Sequence, residues 1–372
     1  MNNGLAEKVA LIKTFWAGFK TFERTGEAPY ESWLAMRRLF VVTNGWFNDV
    51  FHKFYTRNRR PSPIPTLEGS FWKGFDNKQL KIAVDSLNRD GYYVFPQLLD
   101  DATIKALLDL SLQMPVVLQS DKPVNQPATE ESKVQRTDVP QYLGSISDTT
   151  GDAYFDPTNL VASNYRLREQ DLLNSELIQQ IISDPAIISV AQNYMKSQAI
   201  YTTVSMWWTT PFGCESPSSA LAQQYHFDMD RVKFIKFFLY LTDVGPNDGP
   251  HCFVKGSVSR KPKALQRDGR FSDQEIESEY DRSELLEFCG PRGTLIAEDT
   301  RGFHKAKMPT GGNRLLFQVE LASCLFGPKY PQSTLVPRNE RLKNLIRVNP
   351  VLYSNFTPTV STPEKVLTGT RS

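Results

Sequence analysis

The sequence predicts an α+β protein with a helical front and a β-rich back half that folds as a sandwich or barrel. Two observations carry this. In the first 80 residues apolar side chains return every three or four positions, the period of a helix with one buried face. After Ala199 they gather into short runs of branched and aromatic residues, cut by Gly, Pro, Asn and Asp, as in proteins built from several short strands. A chain of 372 residues can bury a generous core.

Taken in order, Leu5, Val9, Ile12, Trp16 and Phe19 form the first helical stripe, and Trp46, Val50 and Phe54 repeat it after the turn Asn44-Gly45. His52 falls in the second stripe and reads as a surface or packing histidine. A Pro-rich joint from Arg60 to Pro65 follows. Gly91 to Pro96 reads as a strand, and a helix from about Asp101 puts Ile104, Leu108 and Leu112 on one face. Gln119 to Pro157 is polar and without period, the texture of a long surface loop. Ser183-Asp184-Pro185 supplies a cap and a first-turn proline for a helix carrying Ile187, Ile188, Ala191 and Tyr194. Strands are expected at Tyr201–Thr210, Phe234–Val244, His251–Lys255, Gly293–Ala297 and Arg314–Ala322. The charged run from Lys261 to Leu286 interrupts them as an insertion or lid. The Thr/Pro-rich end from Ser354 to Ser372 reads as disordered. Residues 1–80 thus form a helical extension, 81–345 the main domain with an insertion near 261–287, and 346–372 a partly disordered tail.

The charge balance, 43 basic against 41 acidic residues, calls for neither nucleic acid nor a membrane as partner. Glu7, Lys8 and Lys13 interrupt the apolar residues of the first 20 positions, which is wrong for a signal peptide or a span, so the chain reads as unexported and cytoplasmic. Cys214, Cys252, Cys289 and Cys324 form no pair at metal-ligand spacing and read as free thiols in a reduced compartment.

The chemistry gathers in Tyr225-His226-Phe227-Asp228-Met229-Asp230. On a strand His226 and Asp228 would share one face, where an imidazole and a carboxylate can bind adjacent positions of one metal ion. A lone His-x-Asp is a weak signal. It is sharpened by His304, which follows a predicted strand, and by Arg314, ten residues later across the turn Pro309-Thr-Gly-Gly-Asn313. A hairpin there would leave His304 and Arg314 on antiparallel partners near one end of a barrel. Two histidines and one carboxylate make the facial triad of non-haem Fe(II) oxygenases and leave three coordination positions open. A dicarboxylate such as 2-oxoglutarate can chelate through its 1-carboxylate and 2-keto oxygens, and its far carboxylate then suits a bidentate guanidinium such as Arg314.

Several linked segments extend this: Asp90-Gly-Tyr-Tyr-Val-Phe-Pro-Gln-Leu-Leu99, His226-Phe-Asp228, Phe237-Phe-Leu-Tyr-Leu-Thr-Asp-Val244, Gly249-Pro-His-Cys-Phe-Val-Lys-Gly-Ser257 and Gly302-Phe-His304. In order and rough spacing, from about Asp90 to Leu325, they resemble the phytanoyl-CoA dioxygenase family. The resemblance implies a double-stranded β-helix (jelly-roll, cupin-like) core flanked by helices. It also implies His226, Asp228 and His304 as catalytic metal ligands, Arg314 as the 2-oxoglutarate ligand, and Fe(II), 2-oxoglutarate and O2 as cofactors. Hydroxylation of a small organic molecule or acyl thioester, with release of succinate and CO2, would follow. Asp228 occupies the position where related halogenases have a small residue, so chlorination is not expected. Gly256-Ser257-Val258-Ser259 departs from the family, whose members often continue Gly-Ser with His and a basic residue. The alternatives are a catalytically silent binding protein and a metal-dependent isomerase or hydrolase on the same fold.

Other residues admit blander readings. Asp230 is expected to pair with Arg231 or Lys233. Lys236 either binds 2-oxoglutarate or a substrate carboxylate, or points outward into solvent. Trp207, Trp208 and Phe212 read more readily as core than as pocket lining. Gln223 and Gln224 are either groups that steady a ligand or ordinary loop polarity. His251 and Cys252 are not expected as ligands, and Arg260-Lys261-Pro262-Lys263 reads as a solvated basic face.

Overall fold

The computed structural model describes residues 3–356, apart from 65, 66, 68, 69, 71, 73, 96–98, 120–152, 214, 215, 218–220 and 331. Cys214 and most of the predicted polar loop and tail therefore lie outside the described residues. Three helices open the chain, α1 (Asn3–Thr25), α2 (Tyr30–Thr43) and α3 (Trp46–Thr56). The Asn44-Gly45 turn separates α2 from α3 through positive φ angles of 50° and 82°. The predicted stripes are buried only in part: Leu5, Val9, Trp46, Val50 and Phe54 are exposed, whereas Ile12 and Trp16 pack against the cluster and Phe19 is buried with Phe15 and Phe51. A second i, i+4 series lies one position along in α3, where Phe47 stacks on Phe51 and Phe51 on Tyr55, at 6.4 and 6.0 Å between ring centroids. Both series have helical period, and packing against α1 selects the aromatic one.

There follow α4 (Asn77–Asp90), β1 (Tyr92–Phe95), α5 (Asp101–Gln113), β2 (Val116–Gln119), β3 (Asn164–Leu167), α6 (Glu169–Asn174), α7 (Glu176–Ile182) and α8 (Pro185–Met195). Helix α8 starts as its sequence predicts. The Asp184 carboxylate accepts from the Ala186 N–H at 2.8 Å, and Pro185 sits where a missing N–H costs nothing. The remaining elements are β4 (Ile200–Thr209), β5 (Phe234–Tyr240), β6 (His251–Val254), α9 (Asp273–Glu277), β7 (Leu285–Phe288), β8 (Leu295–Glu298), β9 (His304–Ala306), β10 (Arg314–Ala322) and α10 (Glu340–Val348).

The strands make two antiparallel sheets, a seven-stranded one in the order β1-β8-β5-β10-β4-β3-β2 and a three-stranded one in the order β7-β6-β9. Alternation decides what each face of the large sheet does. Along β10, Leu315, Phe317, Val319 and Leu321 enter the main apolar core with Ile187, Val190 and Ala191 of α8. The intervening Arg314, Leu316, Gln318 and Glu320 line a cavity on the opposite face. Strand β4 does the same, with Met206 and Trp208 in the core and Thr203, Ser205, Trp207 and Thr209 on the cavity. Each fully buried phenylalanine on the core face, such as Phe237, contributes about 1.5–3 kcal/mol of burial. The small sheet covers part of this face, Phe253 and Phe288 packing in one cluster with Phe238, Tyr240 and Ile296 of the large sheet.

Helices α1–α3 are built into the molecule. Phe15, Phe19, Trp33, Phe40 and Phe51 share one apolar cluster with Tyr225, Phe227, Met229, Phe303 and Phe326. The Trp33 indole donates to Met229 O at 3.0 Å, and His52 bridges Ser323 Oγ at 3.0 Å and Met195 O at 2.8 Å. The predicted lid joins the same cluster through Leu265, Phe271, Ile276 and Tyr280, which makes it a packed wall. The first part of the predicted tail is also ordered: Leu352, Tyr353 and Phe356 are buried, and the Tyr353 hydroxyl donates to Ile182 O at 2.9 Å. No helix among the described residues is long and apolar enough to cross a membrane.

Candidate metal centre

The His-x-Asp motif lies in an extended segment and not in the regular strand its alternation suggests. Its backbone makes isolated bridges, Tyr225 with Phe271 and His226 with His304. The His226 N–H donates to His304 O at 3.0 Å, the His304 N–H returns to His226 O at 2.8 Å, and the Asp228 N–H donates to Thr300 O at 2.8 Å. That is enough to keep the alternation. His226 and Asp228 face the cavity, while Tyr225, Phe227 and Met229 enter the cluster beneath the N-terminal helices. His304 opens β9, beside Phe253 of β6. A Cβ at Gly302 would meet the Phe253 ring at 2.6 Å, so only glycine lets the chain pass this close on its way to His304.

One ligand atom from each of His226, Asp228 and His304 lies within 4.8 Å of the other two. The Nε2 atoms of His226 and His304 stand 3.8 and 3.4 Å from the two Asp228 oxygens. The Nδ1 atoms face Gln224 O at 2.9 Å and Gly302 O at 3.0 Å. A carbonyl can only accept, so each Nδ1 carries a proton and each Nε2 is the atom turned to the common point. Burial, helped by His304, pushes the His226 imidazole well below its usual range and keeps it neutral. Burial would raise the Asp228 carboxyl, but Lys236 and His304 outweigh it and hold it well below the ordinary range. Neutral imidazole beside ionised carboxylate is the protonation state a divalent cation requires.

Arg314 begins β10 and is buried against the same cavity, which encloses about 260 Å³. It is not the hairpin partner of His304. Among the described strands β9 pairs with β6, whereas β10 lies between β4 and β5 in the other sheet. The turn between them is tied to a different loop: Gly311 N donates to Asn247 O at 2.9 Å and Gly312 N to Asp248 Oδ1 at 2.8 Å. The turn thus passes from one sheet to the other and still leaves both side chains on the cavity. Arg314 Nη1 donates to Gly249 O, and Nη2 lies 3.5 Å from Thr209 Oγ1. Its Nε is buried with no hydrogen-bond partner. A buried guanidinium with a donor left over fits the far carboxylate of a chelating dicarboxylate, and the two-imidazole, one-carboxylate set beside it fits a first-row divalent metal.

Residues 87–314 match the family described as phytanoyl-CoA dioxygenase (PhyH), which is more than half of the chain. The chain belongs to this family. No curated protein matches it. Among solved structures, similar chains include the non-heme alpha ketoglutarate dependent epimerase SnoN from nogalamycin biosynthesis, at 15% identity and TM-score 0.43, over 66% of this chain and 84% of that one. HygX from Streptomyces hygroscopicus, with nickel and 2-oxoglutarate bound, is 13% identical at TM-score 0.43, over 73% of this chain and 94% of its own. AviO1 from Streptomyces viridochromogenes Tue57 is 13% identical at TM-score 0.41, over 69% and 100%.

Around the triad this phytanoyl-CoA dioxygenase family member carries groups that its motifs do not announce. Lys236 points inward, with Nζ 2.7 Å from Asp228 Oδ2, 3.4 Å from Asp230 Oδ2 and 3.4 Å from Glu320 Oε2. Lys236, expected either to bind 2-oxoglutarate or a substrate carboxylate or to point outward into solvent, points inward and is ion-paired to the protein's own carboxylates, Asp230 among them. Arg231 donates to Pro328 O at 2.8 Å. His251 is no member of the triad, but its Nε2 lies 2.8 Å from Glu298 Oε2, and its ring stacks on Phe238 at 4.6 Å. Burial pushes His251 down to about 3 and Glu298 up to about 8, so both are neutral near pH 7. The tryptophans split by alternation: Trp208 stacks on Phe155 in the core at 4.1 Å, and Trp207 lines the cavity. Gln224 serves through its backbone carbonyl. The basic face is also corrected, because Lys261 is buried, donating to Ser257 O and Arg301 O at 2.7 Å.

Proposed function

We propose that this chain is an Fe(II)- and 2-oxoglutarate-dependent oxygenase acting on a small organic molecule. One observation carries the reading: His226, Asp228 and His304 converge on a point in the same cavity that receives Arg314 with an unpartnered donor. The three side chains would hold Fe(II), and Arg314 would hold the far carboxylate of 2-oxoglutarate. When bound, the metal, 2-oxoglutarate and O2 supply the oxidation, with succinate and CO2 as the co-products.

The protein's own contribution is placement. The carbonyls of Gln224 and Gly302 fix both imidazole rings, and Lys236 steadies Asp228 while cancelling excess negative charge from Asp230 and Glu320. Phe238 and Leu316 give the cavity apolar walls that limit access of water. The reading places a double-stranded β-helix at residues 81–345, supported by the way the chain from β5 to β10 crosses repeatedly between the two sheets. It assigns residues 1–80 to a helical layer backing the metal-binding segment.

The test is a screen for succinate release over a metabolite library with Fe(II), 2-oxoglutarate and ascorbate, with Asp228→Ala as the blank. Substrate-dependent succinate from the wild type alone supports the proposal. Turnover of a substrate without oxygen would favour an isomerase or hydrolase, and metal binding without any turnover would favour a silent binding protein.

A further inference from the structure

We propose that Arg166, on β3, binds a carboxylate group of the substrate, so that this enzyme acts on a small organic acid. The inference rests on the oxygenase reading and adds to it the chemical class of the substrate.

Each cation lining the cavity can be asked what anion it faces. Lys236 has Asp228, Asp230 and Glu320. Arg314 faces the position argued above for the far carboxylate of 2-oxoglutarate. Arg270 has partners of its own. Arg166 differs: among the described residues none makes a hydrogen bond or ion pair with its guanidinium, and its Nε is enclosed without a partner. Glu169, the acid that acts on it electrostatically, is committed elsewhere. One Glu169 oxygen accepts from Val204 N and the other from Ser333 Oγ, both at 2.8 Å. Burial pushes Arg166 down to about 10, which still leaves it charged at neutral pH.

The surroundings hold the guanidinium ready. Arg166 stands opposite Trp207 in the β3–β4 register, and its guanidinium carbon lies 4.8 Å from the centre of that ring. Stacking on the indole fixes the plane of the fork and leaves its edge for a planar, bidentate anion. Beside it, Asn164 Oδ1 is a second buried polar atom without a partner, and Asn164 pairs directly with Gln119 of β2, another cavity residue. A partly buried cation without a counter-ion is costly, and a ligand carboxylate offsets that cost. Thr209 links the two arginines across the sheet, being the register partner of both Asn164 and Arg314. The cavity therefore offers one guanidinium to the co-substrate and another, farther along the sheet toward β2, to the substrate.

The experiment uses the Ni(II)- and 2-oxoglutarate-loaded protein and saturation-transfer NMR. The probes are hexanoate and phenylacetate, each compared with its neutral primary amide. A charge-assisted bidentate contact predicts that each carboxylate binds about tenfold or more tightly than its amide in the wild type. Arg166→Met should abolish that preference, and Arg166→Lys should retain part of it. The half-saturating 2-oxoglutarate concentration, read from the visible band of the anaerobic Fe(II) complex, should stay within about twofold in both variants and also serves as the check that they fold. Equal binding of acid and amide by the wild type, or a preference that survives in Arg166→Met, would overturn the proposal. So would a loss of 2-oxoglutarate affinity matching the loss of probe affinity, because the guanidinium would then belong to the co-substrate. Should the wild type bind neither Fe(II) nor 2-oxoglutarate, the oxygenase reading fails separately, and the acid–amide contrast on metal-free protein still decides the role of Arg166.

Discussion

The cavity and the helical packing behind it meet along one short segment, and each buries a lysine there. Asp228 turns to Lys236 in the cavity, while the neighbouring Phe227 turns to Lys261 beneath α2. Burial disfavours the charge on both. At Lys236 the carboxylates of Asp228, Asp230 and Glu320 outweigh it and hold the ammonium well above its ordinary range. At Lys261 no carboxylate is within ion-pair distance among the described residues. Its acceptors are backbone carbonyls, its neighbours are the rings of Phe40, Phe227 and Phe303, and burial pushes it down to about 7. The lesson is that, of two lysines buried along one segment, the fold gives a counter-charge to the one facing the metal-binding carboxylates and leaves the one packed under aromatic rings without one.

The strongest way to break this comparison is at the triad. Asp228→Ala or His304→Ala should reduce 2-oxoglutarate turnover to background, and His304→Ala should leave the melting temperature of the metal-free protein close to wild type; a variant with residual turnover above a few per cent would show that the ligand set is wrong. Next comes Lys236→Met, which leaves buried carboxylates without a cation. It should destabilise the fold by about 3–5 kcal/mol in chemical denaturation and weaken metal binding by roughly 10–100-fold. Unchanged stability would mean that the cluster is more hydrated than its burial implies.

Phe51→Ala probes the other region. Its ring meets Phe15 at 4.7 Å and Phe19 at 4.8 Å, so truncation should cost about 3–5 kcal/mol. Metal affinity measured on the remaining folded protein should hardly change. If metal binding fell with stability in proportion, the helical layer would be shaping the site directly.

The smallest effect is one of pH. Because the folded-state value of Lys261 lies below its ordinary 10.5, the unfolded chain binds more protons there between about pH 7 and pH 10.5. Stability from this group therefore rises with pH across that window. The difference between wild type and Lys261→Met should move in favour of wild type from pH 7 to 10. Lys236, shifted the other way, should add no such slope below pH 10.5, since it keeps its proton in both states. A flat difference for Lys261 would show that its carbonyls and aromatic faces keep it charged.

Much of the cavity was legible because it follows the chain. The strands, the His226-x-Asp228 pair, His304 and Arg314 are marked by local period and spacing. Glu320 carried a signal too, as a polar member of the alternation Phe317 to Leu321 in β10, and Lys236 as the one charged residue in the apolar run of β5, but nothing local says that β10 and β5 are neighbours in register. Arg166 and Glu298 were hidden for the same reason, since their meaning depends on pairing across β3–β4 and β5–β8. In the helical layer, two competing apolar stripes one position apart left the buried face undecided until α1 and α3 packed. The path from His304 to Arg314 was misread because Gly311-Gly312 looks the same whether a turn joins two strands of one sheet or carries the chain between sheets.

The most direct test is an anaerobic titration of the protein with Fe(II) and then 2-oxoglutarate, followed by visible absorption. A charge-transfer band should appear only when both are present, vanish in His304→Ala, and need a much higher 2-oxoglutarate concentration in Arg314→Met. A wild-type protein that binds iron but gives no band, or an Arg314→Met variant that titrates like wild type, would contradict the claim that these residues act as one site.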